Sequence, residues 1–338
     1  MKQHNNKIII IAEAGVNHNA SMEMARRMVV EAARAGADYV KFQTAVPELV
    51  ISSIAPKAEY QKETTGEEQS QLEMCKAIHL PLSAYAELAD LCRREGIGFM
   101  STPFDLVSID TLASLEMDFW KIPSGEITNL PYLRKIAKIG GRVILSTGMS
   151  TLDEVSAAVD ILVDGGVKRD DIYLLHCTTQ YPTPYPDVNL LAMNTLSSLN
   201  VGGVGYSDHT LGIEVPIAAA AIGAKVIEKH FTLDKSLPGP DHRASLDPAE
   251  LTAMVKAVRH IEESLGSGEK CVAESERPNI EVARKSIVAA RSIAKGEIFT
   301  EENITVKRPG NGISPMQWDA VIGQTAKRDF PYDSLIEL

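Results

Sequence analysis

Positive charge is what this sequence lacks most. Its 34 lysines and arginines stand against 45 aspartates and glutamates, a formal net charge of −11. That deficit excludes the broad basic face of a nucleic-acid binder, and it gives weight to any cationic side chain gathered into a pocket. Cysteine is scarce as well. Cys75, Cys92, Cys177 and Cys271 show no CxxC spacing, which points to reduced thiols and a cytoplasmic setting. Long apolar runs are missing too. "KIIIIAEAG" is too short, and too soon interrupted by Glu13, for a signal peptide. "VPIAAAAIGA" reaches about half of a membrane span. No glycine-rich phosphate fingerprint follows the first strand pattern: "AEAGVNHN" stands where a doubly wound dinucleotide fold would carry one.

What is present is regular. Hydrophobic residues make up 44% and charged residues 23% of 338 positions, ordinary for a soluble globular protein. Eight strand patterns recur: "KIIIIAEAG", "DYVKFQT", "IGFMSTPF", "DFWKIPSG", "RVILSTGM", "IYLLHCTTQ", "VGGVGYSDH" and "KVIEKHFTL". Amphipathic stretches such as "MEMARRMVVEAARAGA" and "TLDEVSAAVDILVDGG" separate them, often ending in glycine just past the last turn. Eight strand–helix units predict a (β/α)8 barrel over residues 1–266. The long segment after the second strand, 45–78, exceeds an ordinary connection and reads as an active-site loop. A polar linker, 267–284, precedes a small, mainly β domain at 285–338.

In such a barrel the chemistry sits at the C-terminal ends of the strands, and residues i and i+2 share a face. The in-step polar residues are Lys41 and Gln43; Ser124 and Glu126, following Lys121; Thr179 and Tyr181; Ser207 and His209; and Glu228 and His230. Glu13, Asn17, Ser101 and Thr102 end their own strands. A lone barrel histidine is usually structural, but His209 and His230 on adjacent strands at the mouth suggest a metal with open positions for water and substrate. His18 and His242 lie in loops as additional candidates. His4, His79 and His260 have no such context and read as surface residues. Lys41 and Lys121, with Thr102, Ser124 and Ser207, look more like an anion cradle than like lysines reaching for solvent. Ile227 and Phe231 take the other parity, toward the helices.

Nine ordered motifs, among them "AEAGVNHN", "KIPSGEITNLPYL", "GYSDHT", "IEKHFTLDKSLPGPDHRAS" and "KRPGNGISP", resemble the sialic acid synthases from about residue 7 to the end. The resemblance implies a TIM barrel followed by an antifreeze-like (SAF) domain, in a homodimer whose SAF domains cover the partner's barrel. It implies Mn2+ on His209 and His230, with Mg2+ or Co2+ as substitutes. It assigns phosphoenolpyruvate to Lys41, Thr102, Lys121, Ser124 and Ser207, and also to Thr179, which stands where some members have Asn and which also donates a hydrogen bond. It assigns the N-acylmannosamine to Gln43, Glu126, Tyr181, Asp241 and, from the partner subunit, Arg308, and it puts Glu13 near the reacting carbons. The expected product is N-acetylneuraminate from N-acetylmannosamine, a choice that rests on the polar loops "EYQKETTGEEQSQ" and "DHRAS". The alternative is legionaminic acid from the 2,4-diacetamido-6-deoxy sugar. Two other classes stay open: a Schiff-base aldolase using Lys121, Lys41 or Lys229, and a non-catalytic binding protein.

Overall fold

The fold is a (β/α)8 barrel followed by a small second unit. A computed structural model describes residues 7–66 and 68–338; His4, expected at the surface, lies outside them. The chain divides into two compact units at Gly266–Ser267.

In the first unit the strands are β1 (Ile9–Gly15), β2 (Tyr39–Thr44), β3 (Gly98–Pro103), β4 (Phe119–Ile122), β5 (Arg142–Ser146), β6 (Ile172–His176), β7 (Gly203–Asp208) and β8 (Val226–His230). All the ladders are parallel, and β8 pairs back onto β1. The hydrogen-bonded order runs β3-β2-β1-β8-β7-β6-β5-β4. Among the described residues no ladder joins β3 to β4, so side chains close that seam.

The helices form where their sequence demands it. In Met22–Ala35, Ser21 caps the first turn by accepting from the Met24 amide, and Gly36 ends the last one at φ 82°. Ala25, Met28, Val29, Ala32 and Ala35 make its buried stripe. After β2 the chain makes short helices, including Glu59–Thr65 and Gln71–Ile78, before Ala84–Glu95 packs on the barrel. Among the described residues no helix is long and apolar enough to cross a membrane.

Strand parity sorts the barrel into layers. Ile10, Val40, Phe42, Ile227 and Phe231 join the outer core against the helices. Ile11, Met100, Phe119, Ile144, Leu175 and Val226 plug the barrel floor. Two residues further along the same interior columns stand Glu13, Thr102, Lys121, Ser146, Cys177 and Glu228. An apolar plug therefore carries a polar layer, and six of the strands contribute to both in these positions.

In the second unit, β9 (Ser286–Ala289) pairs antiparallel with β10 (Ile304–Lys307), over a core that includes Ile287, Ile293, Phe299, Val321 and Phe330. The segment 267–284 is more than a linker. It holds the helix Arg277–Ala283, with Pro278 in its first turn. It is also bonded into the second unit: the Gly310 amide donates to the Glu281 carbonyl and Arg308 Nε to the Ala283 carbonyl at 3.1 Å.

Candidate active site

The polar layer opens into a cavity of about 310 Å3 at the C-terminal ends of the strands. Its floor is a quartet of opposite charges. Lys41 Nζ lies 2.8 Å from Glu13 Oε2 and 3.8 Å from Glu228 Oε2. Lys121 Nζ lies 3.6 Å from Glu228 Oε1. Thr102 Oγ1 accepts from Lys41 and Ser146 Oγ from Lys121, at 2.9 and 2.8 Å. Ser207 Oγ donates to Glu228, and Gln43 Nε2 to Glu13, both at 3.0 Å. All four charged groups are buried, so each needs its partner.

Burial opposes the charge on Lys41, but Glu13 and Glu228 outweigh it and lift its pKa. Burial wins at Lys121, which is lowered despite Glu228. Burial also resists ionisation of Glu228, yet the two lysines hold it below the usual carboxylate range. Glu13 is raised by burial, against the pull of Lys41. The cradle expected from two lysines is therefore already neutralised by two glutamates. Glu228 is the member that sequence reasoning left without a role, although its parity with His230 was the available signal.

Two close approaches shape this floor. Gly15 follows an irregularity in the β1–β2 register and has φ 52°. A Cβ there would stand 3.2 Å from Glu13 Oε1 and 3.3 Å from Gln43 Nε2. At Gly148 a Cβ would meet Thr179 Cγ2 at 2.7 Å, and the glycine amide donates to Ser124 Oγ at 3.0 Å. Ser124 and Thr179 thereby close in on Gly148, with the buried thiol of Cys177 3.3 Å from Ser124 Oγ.

Above the floor stand the histidines, with ring centroids 5.4 Å apart. His209 Nδ1 bonds the Thr178 carbonyl at 2.6 Å, and its ring lies 4.1 Å from that of Tyr181. His230 Nδ1 is buried without a hydrogen-bond partner, 3.9 Å from Asp241 Oδ2. Burial lowers His209 to about 4 and His230 well below its ordinary value, so both rings are neutral. Burial, then Glu13, raises Asp241 to about 7. Neutral imidazoles, one oriented by a carbonyl and one with an orphan nitrogen, suit a divalent cation. Among the described residues no three His, Cys, Asp or Glu side chains form a ready-made cage.

The other expected residues divide. Lys41, Gln43, Thr102, Lys121, Ser124, Thr179, Tyr181, Ser207, His209, His230, Asp241 and Glu13 all line this cavity. Glu126 does not. After Pro123 the chain enters a 3-10 turn instead of continuing as strand, so alternation fails and Glu126 is half-buried beside Asn129. Arg308 belongs to the second unit, at the end of β10. His18 and His242 are buried off the cavity, and His242 bonds Thr232 Oγ1 at 2.7 Å. Ser101 and Asn17 serve the framework, bonding Thr44 and the Phe231 carbonyl. His79, expected at the surface, instead lines the cavity, its Nδ1 held by the Cys75 carbonyl. Lys229 points the other way, to Asp208 outside the barrel.

The segment after β2 supplies the remaining wall. Tyr60 lies over Tyr181, ring centroids 5.1 Å apart, and Ala45, Pro47, Val50, Ile51, Met74, Cys75 and Ile78 make it mainly apolar. Its charged residues Glu59, Glu63 and Glu68 face solvent. The stretch "EYQKETTGEEQSQ" thus splits between two sides: these glutamates face outward, while Tyr60, Gln61 and Gln71 line the cavity.

The chain matches the NeuB family over residues 28–270 and the SAF domain over residues 284–337. It is 51% identical over 330 residues to the N,N'-diacetyllegionaminic acid synthase of Campylobacter jejuni, covering 98% of this chain and 99% of that one. It is 48% identical to the enzyme of the same name from Legionella pneumophila, covering 93% of this chain and 89% of that one. Among solved structures it resembles the N-acetylneuraminic acid synthetase of Leptospira borgpetersenii, with TM-score 0.70 and 35% identity over 82% of this chain and 91% of that one.

Proposed function

The chain belongs to the NeuB family, and from that premise we propose that it is a nonulosonate synthase making N,N'-diacetyllegionaminic acid. Its substrates are then phosphoenolpyruvate, water and 2,4-diacetamido-2,4,6-trideoxymannose. The observation that carries the choice of sugar is the apolar wall of Pro47, Val50, Ile51, Met74 and Ile78. That wall suits a methyl group at C6 and an acetamido methyl at C4. N-acetylmannosamine would set hydroxyls against these apolar side chains, with Tyr60, Gln61, Gln71 and His79 the polar lining residues of the same segment. The identities to the two legionaminic acid synthases point the same way, against the sialic acid precursor favoured by loop polarity alone.

In this reading C3 of phosphoenolpyruvate attacks the aldehyde carbon of the open-chain sugar, the aldehyde oxygen takes a proton, and water adds at C2. The C2–O bond to phosphate then breaks, leaving the C2 ketone and inorganic phosphate. When bound between His209 and His230, Mn2+ or a similar cation supplies polarisation of the aldehyde oxygen. Lys41 and Lys121 receive the phosphate and carboxylate of phosphoenolpyruvate, with Thr102, Ser124, Thr179 and Ser207 adding hydroxyl donors. Glu13 and Asp241, both raised by burial, take up and return protons at the aldehyde oxygen and the attacking water. Tyr181 and Gln43 orient the sugar. Arg308 completes the site from the partner subunit of a homodimer.

Lys229 is not placed for Schiff-base chemistry, because its amine lies outside the barrel. Lys41 and Lys121 would need to shed their glutamate partners to act as nucleophiles. The test is kcat/KM for both sugars at saturating phosphoenolpyruvate and Mn2+, read as phosphate release. A preference of about tenfold or more for the diacetamido sugar, about 1.4 kcal/mol, is expected. A preference for N-acetylmannosamine refutes the choice of sugar while leaving the condensation standing.

A further inference from the structure

Lys229 and Asp208 are fully buried and take no part in the cavity. Each precedes a candidate metal ligand by one residue: Asp208 before His209, Lys229 before His230. The strand register pairs them directly, and Asp208↔Lys229 is the last rung of the β7–β8 ladder. His209 therefore stands beyond the ladder, where no β7–β8 backbone pairing fixes its distance from His230.

Side chains take over at that point. Lys229 Nζ donates to Asp208 Oδ2 and to the Thr210 carbonyl, each at 2.5 Å. The Thr210 amide and hydroxyl donate to the two Asp208 oxygens at 3.1 and 3.0 Å. The residues before and after His209 are thus both tied to the residue before His230. We propose that Lys229, Asp208 and Thr210 form a clamp outside the barrel that positions the two histidines to share one divalent cation. A buried pair that only filled space would be replaceable by apolar side chains at little or no cost in stability. A clamp is not replaceable, because the apolar pair loses the anchor on both sides of His209.

The inference rests on the two histidines holding a cation, so the experiment separates the two ideas. The double variant Asp208→Leu/Lys229→Met removes both charges together and avoids a lone buried ion. Lys229→Arg keeps the charge on a longer, planar head and serves as a second variant. Folding is followed by circular dichroism, Mn2+ affinity by electron paramagnetic resonance titration, and kcat and KM for phosphoenolpyruvate by phosphate release. Both variants are expected to fold, to bind Mn2+ about tenfold or more weakly and to lose a similar factor in kcat. KM for phosphoenolpyruvate stays within about twofold of the parent's, because Lys41 and Lys121, the charged contacts, stand on β2 and β4, and Ser207, inside the β7–β8 ladder, keeps its backbone pairing to Glu228. Folded variants with parental Mn2+ affinity and kcat overturn the clamp. An equal loss in KM for phosphoenolpyruvate overturns it as well, since that is general loosening. A parental enzyme that takes up no Mn2+ overturns the metal reading beneath it.

Discussion

Glu228→Gln tests whether the barrel floor is balanced as the distances indicate. Glu228 faces Lys121 at 3.6 Å and Lys41 at 3.8 Å. At an effective dielectric constant near 20, each attraction is worth about 4 to 5 kcal/mol. Removing the charge also relieves the burial of one carboxylate, which returns several kcal/mol. The amide still accepts from Ser207 Oγ. A net loss of about 3 kcal/mol follows, or roughly 5 °C in Tm for a unit of this size. The sign then reverses with ligand. The variant leaves Lys121 without its nearest carboxylate, and the phosphate of phosphoenolpyruvate supplies the missing negative charge. Its affinity should rise about tenfold, or 1.4 kcal/mol. Differential scanning calorimetry with and without phosphoenolpyruvate, and isothermal titration of the same ligand, read both effects. A variant that melts lower yet binds phosphoenolpyruvate no better than the parent would refute the neutralised-cradle reasoning.

Two further outcomes are expected. Chelation by EDTA should abolish phosphate release and added Mn2+ restore it, and His230→Ala should lower kcat about a hundredfold; full turnover in chelated buffer counts against a metal at His209 and His230. Mixing Arg308→Ala chains with His230→Ala chains should restore part of the activity through heterodimers with one intact site, and heterodimers that form without activity remove Arg308 from the partner's site.

Alternation made most of this barrel readable. The eight strands and the inward column at Glu13, Lys41, Lys121, Ser207 and Glu228 follow from period two alone, and each apolar floor residue lies two positions before its polar neighbour. The same rule failed at Glu126, because Pro123 turns the chain into a 3-10 bend where period two has no meaning. Pairing was illegible for a different reason. Nothing in "IEKHF" says that Glu228 meets lysines from β2 and β4 while Lys229 meets Asp208 on the outside, since those contacts depend on which strands are neighbours. The loop after β2 is hard to read because composition averages both faces of its short helices, of which the side that meets the cavity mixes Met74 and Ile78 with Gln61 and Gln71. His79 was lost with it.

The missing ladder between β3 and β4 leaves one plane through the barrel, among the described strands, that no backbone hydrogen bonds cross. Every other joint would have to break backbone hydrogen bonds before one strand could slide past the next. Here Met100 and Phe119 meet on the inside, Phe99 and Trp120 belong to the outer core, and the Tyr132 hydroxyl reaches over to the Pro103 carbonyl. Lys41 and Thr102 ride on one flank of that plane, and Lys121 and Ser124 on the other. The two halves of the proposed anion cradle thus meet at the one joint, among the described strands, that no backbone ladder spans.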